Sequence, residues 1–190
     1  KLTELKQYAS QLSEKYMYQE RTGDTLLNTE IEALAYSIMR MPATYGAVYT
    51  ALKHTLERID GNIQSVLDIG AGTGAATWAI SELLDTKNIQ CFEREQVMLE
   101  LGKSFMNQNP KLKDISWDYM DIVEDDLDVK ADLVVTSYML NEIKPENRKD
   151  VINKLIKSSN HIILIIEPGT PEGFQNIKEV QKMAIENNLY

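Results

Sequence analysis

The hydrophobic positions of this chain change period once, near residue 62. Ahead of that point Leu2, Leu5, Tyr8, Ala9, Leu12 and Tyr16 recur three and four residues apart, which predicts an amphipathic helix. A turn signal follows at Thr22-Gly23-Asp24. Thr29 then reads as an N-cap, and Glu32 three residues on completes a capping box for a helix carrying Ile31, Leu34, Ala35 and Ile38. Pro42 is expected to end or kink that helix and to open the next, which carries Tyr45, Val48, Tyr49, Leu52 and Leu56. Residues 1–61 are therefore expected to form an N-terminal helical region.

Past residue 62, short apolar runs alternate with helical patterns. Val66-Leu67-Asp68-Ile69 is the first expected strand, Ile89 to Glu93 the second and Ile115-Ser116-Trp117 a weak third. Ala131 to Ser137 is the fourth and His161 to Ile166 the fifth. Helical stripes follow strands one, two and four, through Trp78, Ile80 and Leu83, through Val97, Met98, Leu101 and Phe105, and through Val151, Ile152 and Leu155. Aliphatic strands without clean alternation, separated by helices, predict a mostly parallel sheet covered on both faces. Right-handed crossovers make it a doubly wound, Rossmann-like α/β domain over residues 62–190.

Composition narrows the class. The 190 residues are 43% hydrophobic and 26% charged, as in a globular protein. Twenty Lys and Arg against 29 Asp and Glu give a net charge of −9, which opposes a surface built to wrap nucleic acid, and no DNA partner is expected. A local basic surface remains open along one helix, from Lys144, Arg148, Lys149, Lys154 and Lys157. The single cysteine, Cys91, leaves no disulfide framework and no Cys-rich metal site within the segment. The longest aliphatic run, 162–166, is far short of the ~20 residues of a membrane span. With no signal peptide or transit-like leader, the expected compartment is a bacterial cytoplasm rather than a mitochondrial matrix. The chain opens on Lys1 and stops at Tyr190 inside a helical pattern, so a segment of a longer protein is expected.

The chemistry gathers at Asp68-Ile69-Gly70-Ala71-Gly72-Thr73-Gly74-Ala75, where a strand hands over to a helix. Glycines there permit a tight turn and close approach of a ligand to backbone, and the helix start favours an anionic group. The third glycine is one place short of the dinucleotide spacing, although Ala75 can stand in that position. Glu93 ends the second strand, 19 residues after Gly74, where an acid can receive both hydroxyls of a ribose. Asp118 follows the weak third strand and is expected to reach the amino group of a base, between apolar walls from Met98, Tyr119 or Met120. Each feature alone is compatible with a turn or a solvated strand end. Together they point to a nucleoside site.

The pattern Asp68-x-Gly70-x-Gly72-x-Gly74 with Glu93 resembles the cofactor signature of class I S-adenosylmethionine-dependent methyltransferases, over residues 62–178. Further motifs stand in the order found in one family: Arg40-Met41-Pro42-Ala43-Thr44-Tyr45, Glu93-Arg94, Ser137-Tyr138-Met139-Leu140-Asn141-Glu142, and Glu167-Pro168-Gly169-Thr170-Pro171. They resemble the methyltransferase-like assembly factors of the mitochondrial ribosomal small subunit and their bacterial relatives. The resemblance implies S-adenosyl-L-methionine as cofactor, held by Asp68, Gly70, Ala71, Gly72, Gly74, Glu93, Arg94, Asp118, Tyr119 and Ser137. Read from the residues themselves, Arg40, Tyr45, Tyr138 and Asn141 are candidate substrate contacts, with a helix-end cation, buried tyrosines and a helix cap as the alternatives. The resemblance also implies the ribosomal small subunit or its RNA as partner, two further sheet strands, and an iron–sulfur cluster only in a segment beyond this chain. No metal ligand and no catalytic residue is assigned.

Four activities stay open on the sequence. The first is a methyltransferase acting on small-subunit ribosomal RNA. The second is a cofactor-binding assembly factor with little or no transfer. It is favoured because Ser137-Tyr138-Met139-Leu140 lacks the prolines of base-amine methyltransferases. The third is a small-molecule methyltransferase, and the last a nicotinamide-linked oxidoreductase. Cys91, inside an apolar strand, reads as a structural thiol rather than a nucleophile.

Overall fold

A computed structural model describes residues 27, 29–59, 62–86 and 88–187. The expected helix through Leu2 and Tyr16 lies outside the described residues. The first described element is helix α1 (Glu30–Leu56). Its capping box forms as the sequence implies: the Thr29 hydroxyl accepts from the Glu32 N–H at 3.3 Å, and the Glu32 carboxylate accepts from the Thr29 N–H at 3.1 Å.

Of the two outcomes expected at Pro42, an end to the helix does not occur: the proline sits inside one continuous helix of 27 residues. Proline forgoes the bond to the Ile38 carbonyl, at a cost of about 3 kcal/mol. Burial on both sides of it outweighs that cost. Ala33, Ala35 and Ser37 before the proline and Val48 and Leu52 after it are all packed away from water.

Five strands follow: β1 (Ser65–Ile69), β2 (Asn88–Glu93), β3 (Ser116–Tyr119), β4 (Ala131–Ser137) and β5 (Ser159–Ile166). They pair in parallel in the order β3-β2-β1-β4-β5. The helices are α2 (Ala75–Leu83), α3 (Gln96–Asn107), α4 (Pro145–Ser158) and α5 (Pro171–Glu186). This is the doubly wound sheet expected from the strand–helix alternation. Its strand order reverses between β1 and β4, which opens a crevice at the carboxyl ends of the strands.

Period-two strands with apolar residues on both faces build two cores. On one face Val66, Cys91, Trp117, Leu133 and Val135 meet Ala76, Ala79 and Ile80 of α2 and Leu99 and Met106 of α3. On the other, Leu67, Ile69, Phe92 and Val134 meet Leu140, Val151, Ile152 and Leu155. Val48 and Leu52 of α1 belong to the first core. The change of texture at residue 62 therefore marks no change of core, and α1 packs as one more covering helix.

Strand β3 runs two residues further than the pattern Ile115-Ser116-Trp117 implies. Its register sets Asp118 opposite Phe92 and Tyr119 opposite Glu93. That extension moves the site residues after it.

Candidate functional site

The loop after β1 is shaped by three glycines with positive φ: Gly70 at 69°, Gly72 at 58° and Gly74 at 85°. They serve different purposes. Gly74 caps α2, and a Cβ there would collide with the Met106 methyl and crowd the Trp117 ring. Gly74 is thus a packing glycine, not a wall of the cavity. Gly72 turns its N–H onto Glu93 Oε2 at 2.7 Å, while Glu93 Oε1 accepts from the Glu95 N–H at 2.8 Å. Gly70 and Ala71 both donate to the Phe92 carbonyl, at 2.9 and 3.0 Å. The glycine loop is therefore sewn to the end of β2.

A cavity opens over this seam, between the ends of β2, β1 and β4. Gly70, Gly72, Glu93, Arg94, Ser137 and Tyr138, all read from the sequence as binding residues, line it. Phe92, Met98, Met120 and Ile122 form apolar walls suited to a flat base. The enclosed space is about 90 Å³. That is small against the ~300–1,000 Å³ of small-molecule sites. Two methionines stand close over the cavity's glycines. Met139 Cγ lies 3.0 Å from where a Cβ on Gly70 would stand, and Met98 Cε lies 3.5 Å from the same point on Gly72. Both are unbranched and repack readily around a ligand.

Other expected binding residues lie elsewhere. Asp68 is wholly buried, and its Oδ2 accepts from the Thr77 N–H at 3.1 Å and hydroxyl at 2.7 Å, capping the first turn of α2 from below. Burial raises its pKa to about 6, against those two bonds. Ala71 packs into the first core. Asp118 lies within β3 rather than after it and accepts from Gln90 Nε2 and Ser116 Oγ, each at 3.0 Å. Tyr119 is exposed. Neither lines the cavity, because the strand continues past the point where the sequence pattern fades. Of the substrate set, Arg40 is on the exposed side of α1. Tyr45 stacks on Tyr49 at 6.0 Å and borders a separate apolar groove with Trp78 and Phe105. Asn141 sits in the 3-10 turn Leu140–Glu142, behind the cavity wall.

Asp121 and Glu142 line the cavity instead; Asp121 was not assigned, and Glu142 reads from the sequence equally as a helix cap or a substrate contact. Asp121 is the acid that follows β3 once the strand's true end is known, and its Oδ1 caps the Val123 N–H at 3.0 Å. The Glu142 pKa is raised to about 7 by burial, with Arg94 pulling it down and Glu93, Glu95 and Glu167 pushing it up. Burial also raises Glu93, against its two backbone hydrogen bonds. A cavity with two carboxylates whose charge is held back by burial suits a cationic ligand. At its β4 end Tyr138 adopts φ 63°, the only positive φ outside glycine among the described residues, with its N–H donated to the Ile166 carbonyl at 2.7 Å. Such strain marks a place where the surroundings dictate the backbone. No three His, Cys, Asp or Glu side chains among the described residues are grouped to hold a metal ion.

Fold and cavity define the class: a Rossmann-like domain of the class I methyltransferase type. Similar solved structures include DhpI in a complex with SAM and HEP, at 17% identity and TM-score 0.60 over 79% of this chain and 67% of that one. CalS10, a SAM-bound amino pentose methyltransferase from Micromonospora echinaspora, gives 20% identity and TM-score 0.56 over 77% and 59%. Likeness at that identity is a likeness of fold. The chain itself belongs to the family described as mitochondrial small ribosomal subunit Rsm22, whose model matches residues 30–190. It is similar to the human ribosome assembly protein METTL17, mitochondrial, at 23% identity over 166 residues, or 83% of this chain. It spans 36% of the length of that relative.

Proposed function

We propose that this chain binds S-adenosyl-L-methionine in the cavity at the carboxyl ends of β1, β2 and β4. We further propose that it serves small-subunit ribosome assembly, with methyl transfer to the subunit's RNA as its reaction. The observation that most supports this reading is the joining of Gly72 to Glu93 at the head of the cavity. Each Glu93 oxygen accepts one backbone N–H and keeps lone pairs for ribose hydroxyls. Phe92, Met98, Met120 and Ile122 would flank the base, and the Glu142 and Glu93 carboxylates would favour the cationic end of the molecule. When bound, the cofactor supplies a methyl group already activated on a sulfonium. What remains for the protein is alignment of the acceptor, a matter of orientation more than of acid–base groups. Ser137, Tyr138 and Met139 border the place where an acceptor would approach.

Titration calorimetry of the full chain with S-adenosylmethionine and with NAD tests the site. Binding of the first alone is expected, and tighter NAD binding would overturn the assignment. Transfer of labelled methyl into isolated small-subunit RNA tests the reaction.

A second reading, assembly without transfer, is favoured by one observation. Of the five cations expected to form a basic surface on α4, Arg148 is buried and Lys154 is bound to backbone carbonyls, which leaves Lys144, Lys149 and Lys157 exposed. Binding to precursor particles without label transfer would establish it. The resemblance implies an iron–sulfur cluster only in a segment beyond this chain; the one thiol within it, Cys91, is fully buried in β2.

A further inference from the structure

Helix α4 reads in the sequence as a basic surface, yet two of its cations are turned inward, and each grips a loop that forms a wall of the cavity. Arg148 is 8% exposed. Its Nε donates to the carbonyls of Leu140 at 3.1 Å and Ile143 at 3.0 Å, and its Nη1 to Asn176 Oδ1 at 2.8 Å. Asn176 in turn donates to Glu167 Oε2 at 3.1 Å, and the backbone N–H groups of Leu140 and Asn141 favour the charge on that carboxylate. The turn that carries Glu142 is thus held from its carbonyl side by Arg148 and approached on its N–H side by Glu167, with Asn176 linking the two. At the other end of the cavity, Lys154 Nζ donates to the carbonyls of Ile122 at 2.9 Å, Val123 at 3.2 Å and Asp125 at 2.7 Å. Ile122 and Val123 line the cavity on the β3 side; Tyr138, Met139, Glu142 and Ile143 line it on the β4 side.

We propose that Arg148 and Lys154 are positioning residues for the two ends of the cavity, so that one helix sets how a ligand is held without touching it. The proposal rests on the cofactor reading above. A carbonyl taken by a cation cannot turn into the cavity, and charge-assisted bonds fix a loop more firmly than neutral ones. The division of labour is specific. Lys154 holds the wall expected beside the base, and Arg148 the wall expected beside the sulfonium and the acceptor. The guanidinium serves four acceptors in a fixed fork, the fourth being Glu172 Oε1 at 3.5 Å from Nη2, and an ammonium cannot reproduce that fork, whereas the three carbonyls at Lys154 need only a point charge.

The experiment titrates the full chain with adenosine and with S-adenosylmethionine, for Arg148→Met, Arg148→Lys, Lys154→Met, Lys154→Arg and the exposed control Lys149→Ala. Thermal unfolding is followed in parallel. Lys154→Met is expected to weaken both ligands by about tenfold, and Lys154→Arg to recover most of that loss. Arg148→Met is expected to weaken the full cofactor by about tenfold while leaving adenosine within about threefold, with Arg148→Lys little better. The split between ligands separates positioning from general loosening of the fold. Equal losses of both ligands in all four variants, tracking the unfolding temperature, overturn the proposal, as does unchanged affinity in all four. A wild-type chain that binds neither ligand overturns the site assignment as well, so the two failures are told apart. Should Arg148→Met not fold, Arg148→Lys carries the same comparison.

Discussion

Gly72 and Glu93 are joined by a 2.7 Å hydrogen bond from the loop after β1 to the end of β2, across 21 residues of sequence. The bond makes one unit of two features that the sequence presents separately. The glycine supplies a backbone donor at a φ that other residues resist, and the acid supplies the acceptor in a buried setting. Replacing Glu93 therefore does two things. It removes the expected ribose acceptor and it leaves the Gly72 and Glu95 N–H groups without their partner.

Glu93→Ala is expected to reduce S-adenosylmethionine affinity by more than about tenfold and to cost about 1–3 kcal/mol of stability from the two orphaned donors. Glu93→Gln keeps one acceptor oxygen and should fall between. Calorimetric titration and urea unfolding on the same preparations check both effects, and an Ala variant with wild-type affinity removes Glu93 from the site.

Gly74 offers the opposite case, a glycine of the same motif with a different task. A Cβ there meets Met106 and Trp117, and φ is 85°. Gly74→Ala is expected to destabilise the fold by about 1–3 kcal/mol through strain and overpacking. The cofactor affinity of the folded protein should change less than about threefold. Unfolding curves and titration together separate this residue from Gly72. Large loss of affinity at unchanged stability would return Gly74 to the binding set.

How much of this was legible in the sequence follows from what each residue answers to. The capping box of Thr29 and Glu32 is a local contract between neighbours and formed as read. The strand–helix alternation fixed a parallel sheet, because period and turn chemistry are local as well. The helix end expected at Pro42 does not occur because the proline's cost is local, while the burial of Val48 and Leu52 that overrides it is tertiary. Asp118 reads as the acid following the third strand, and Asp121 is passed over, because a four-residue edge strand has little pattern of its own, and its end is set by pairing with β2. Arg148 and Lys154 were read as solvated for a similar reason. Helical spacing says which residues share a face, not which carbonyls from distant loops will meet them.

Asp68 gives a stability signature. Its folded pKa of about 6 lies above the model-compound value of 3.8, so the folded state binds the proton more tightly than the unfolded chain does. Its contribution to stability is greatest below pH 3.8 and is lost as pH rises to about 6. Asp68→Asn keeps an acceptor for Thr77 and removes the buried charge. The variant is expected to lose that part of the pH dependence and to match or exceed wild-type stability at pH 7 by on the order of 1–3 kcal/mol. Denaturant unfolding from pH 4 to pH 7 measures it, with Glu93, Glu142 and Glu167 titrating alike in both proteins. Parallel curves would show that Asp68 is ionised throughout.

Glu142 gives a binding signature, with the sign set by the ligand's charge. Burial raises its carboxyl pKa to about 7, with Arg94 pulling it down and Glu93, Glu95 and Glu167 pushing it up. A ligand bearing a sulfonium and an ammonium adds positive charge beside it, which favours the carboxylate and drives the proton off on binding. Affinity for S-adenosylmethionine should therefore rise between pH 6 and pH 8, by no more than about tenfold per pH unit for each proton released. The demethylated product lacks the sulfonium charge and should show a shallower rise. Glu142→Gln has no proton to release at that position and should make the dependence shallower for both ligands, leaving the share of Glu93. Calorimetry at pH 6.5 in two buffers of different ionisation enthalpy reads the proton directly: the apparent binding enthalpies differ for the wild type and differ less for the variant, in which Glu93 remains. Coinciding enthalpies in the wild type would mean that Glu142 does not sense the bound cation, and the electrostatic part of the site assignment would fall with it.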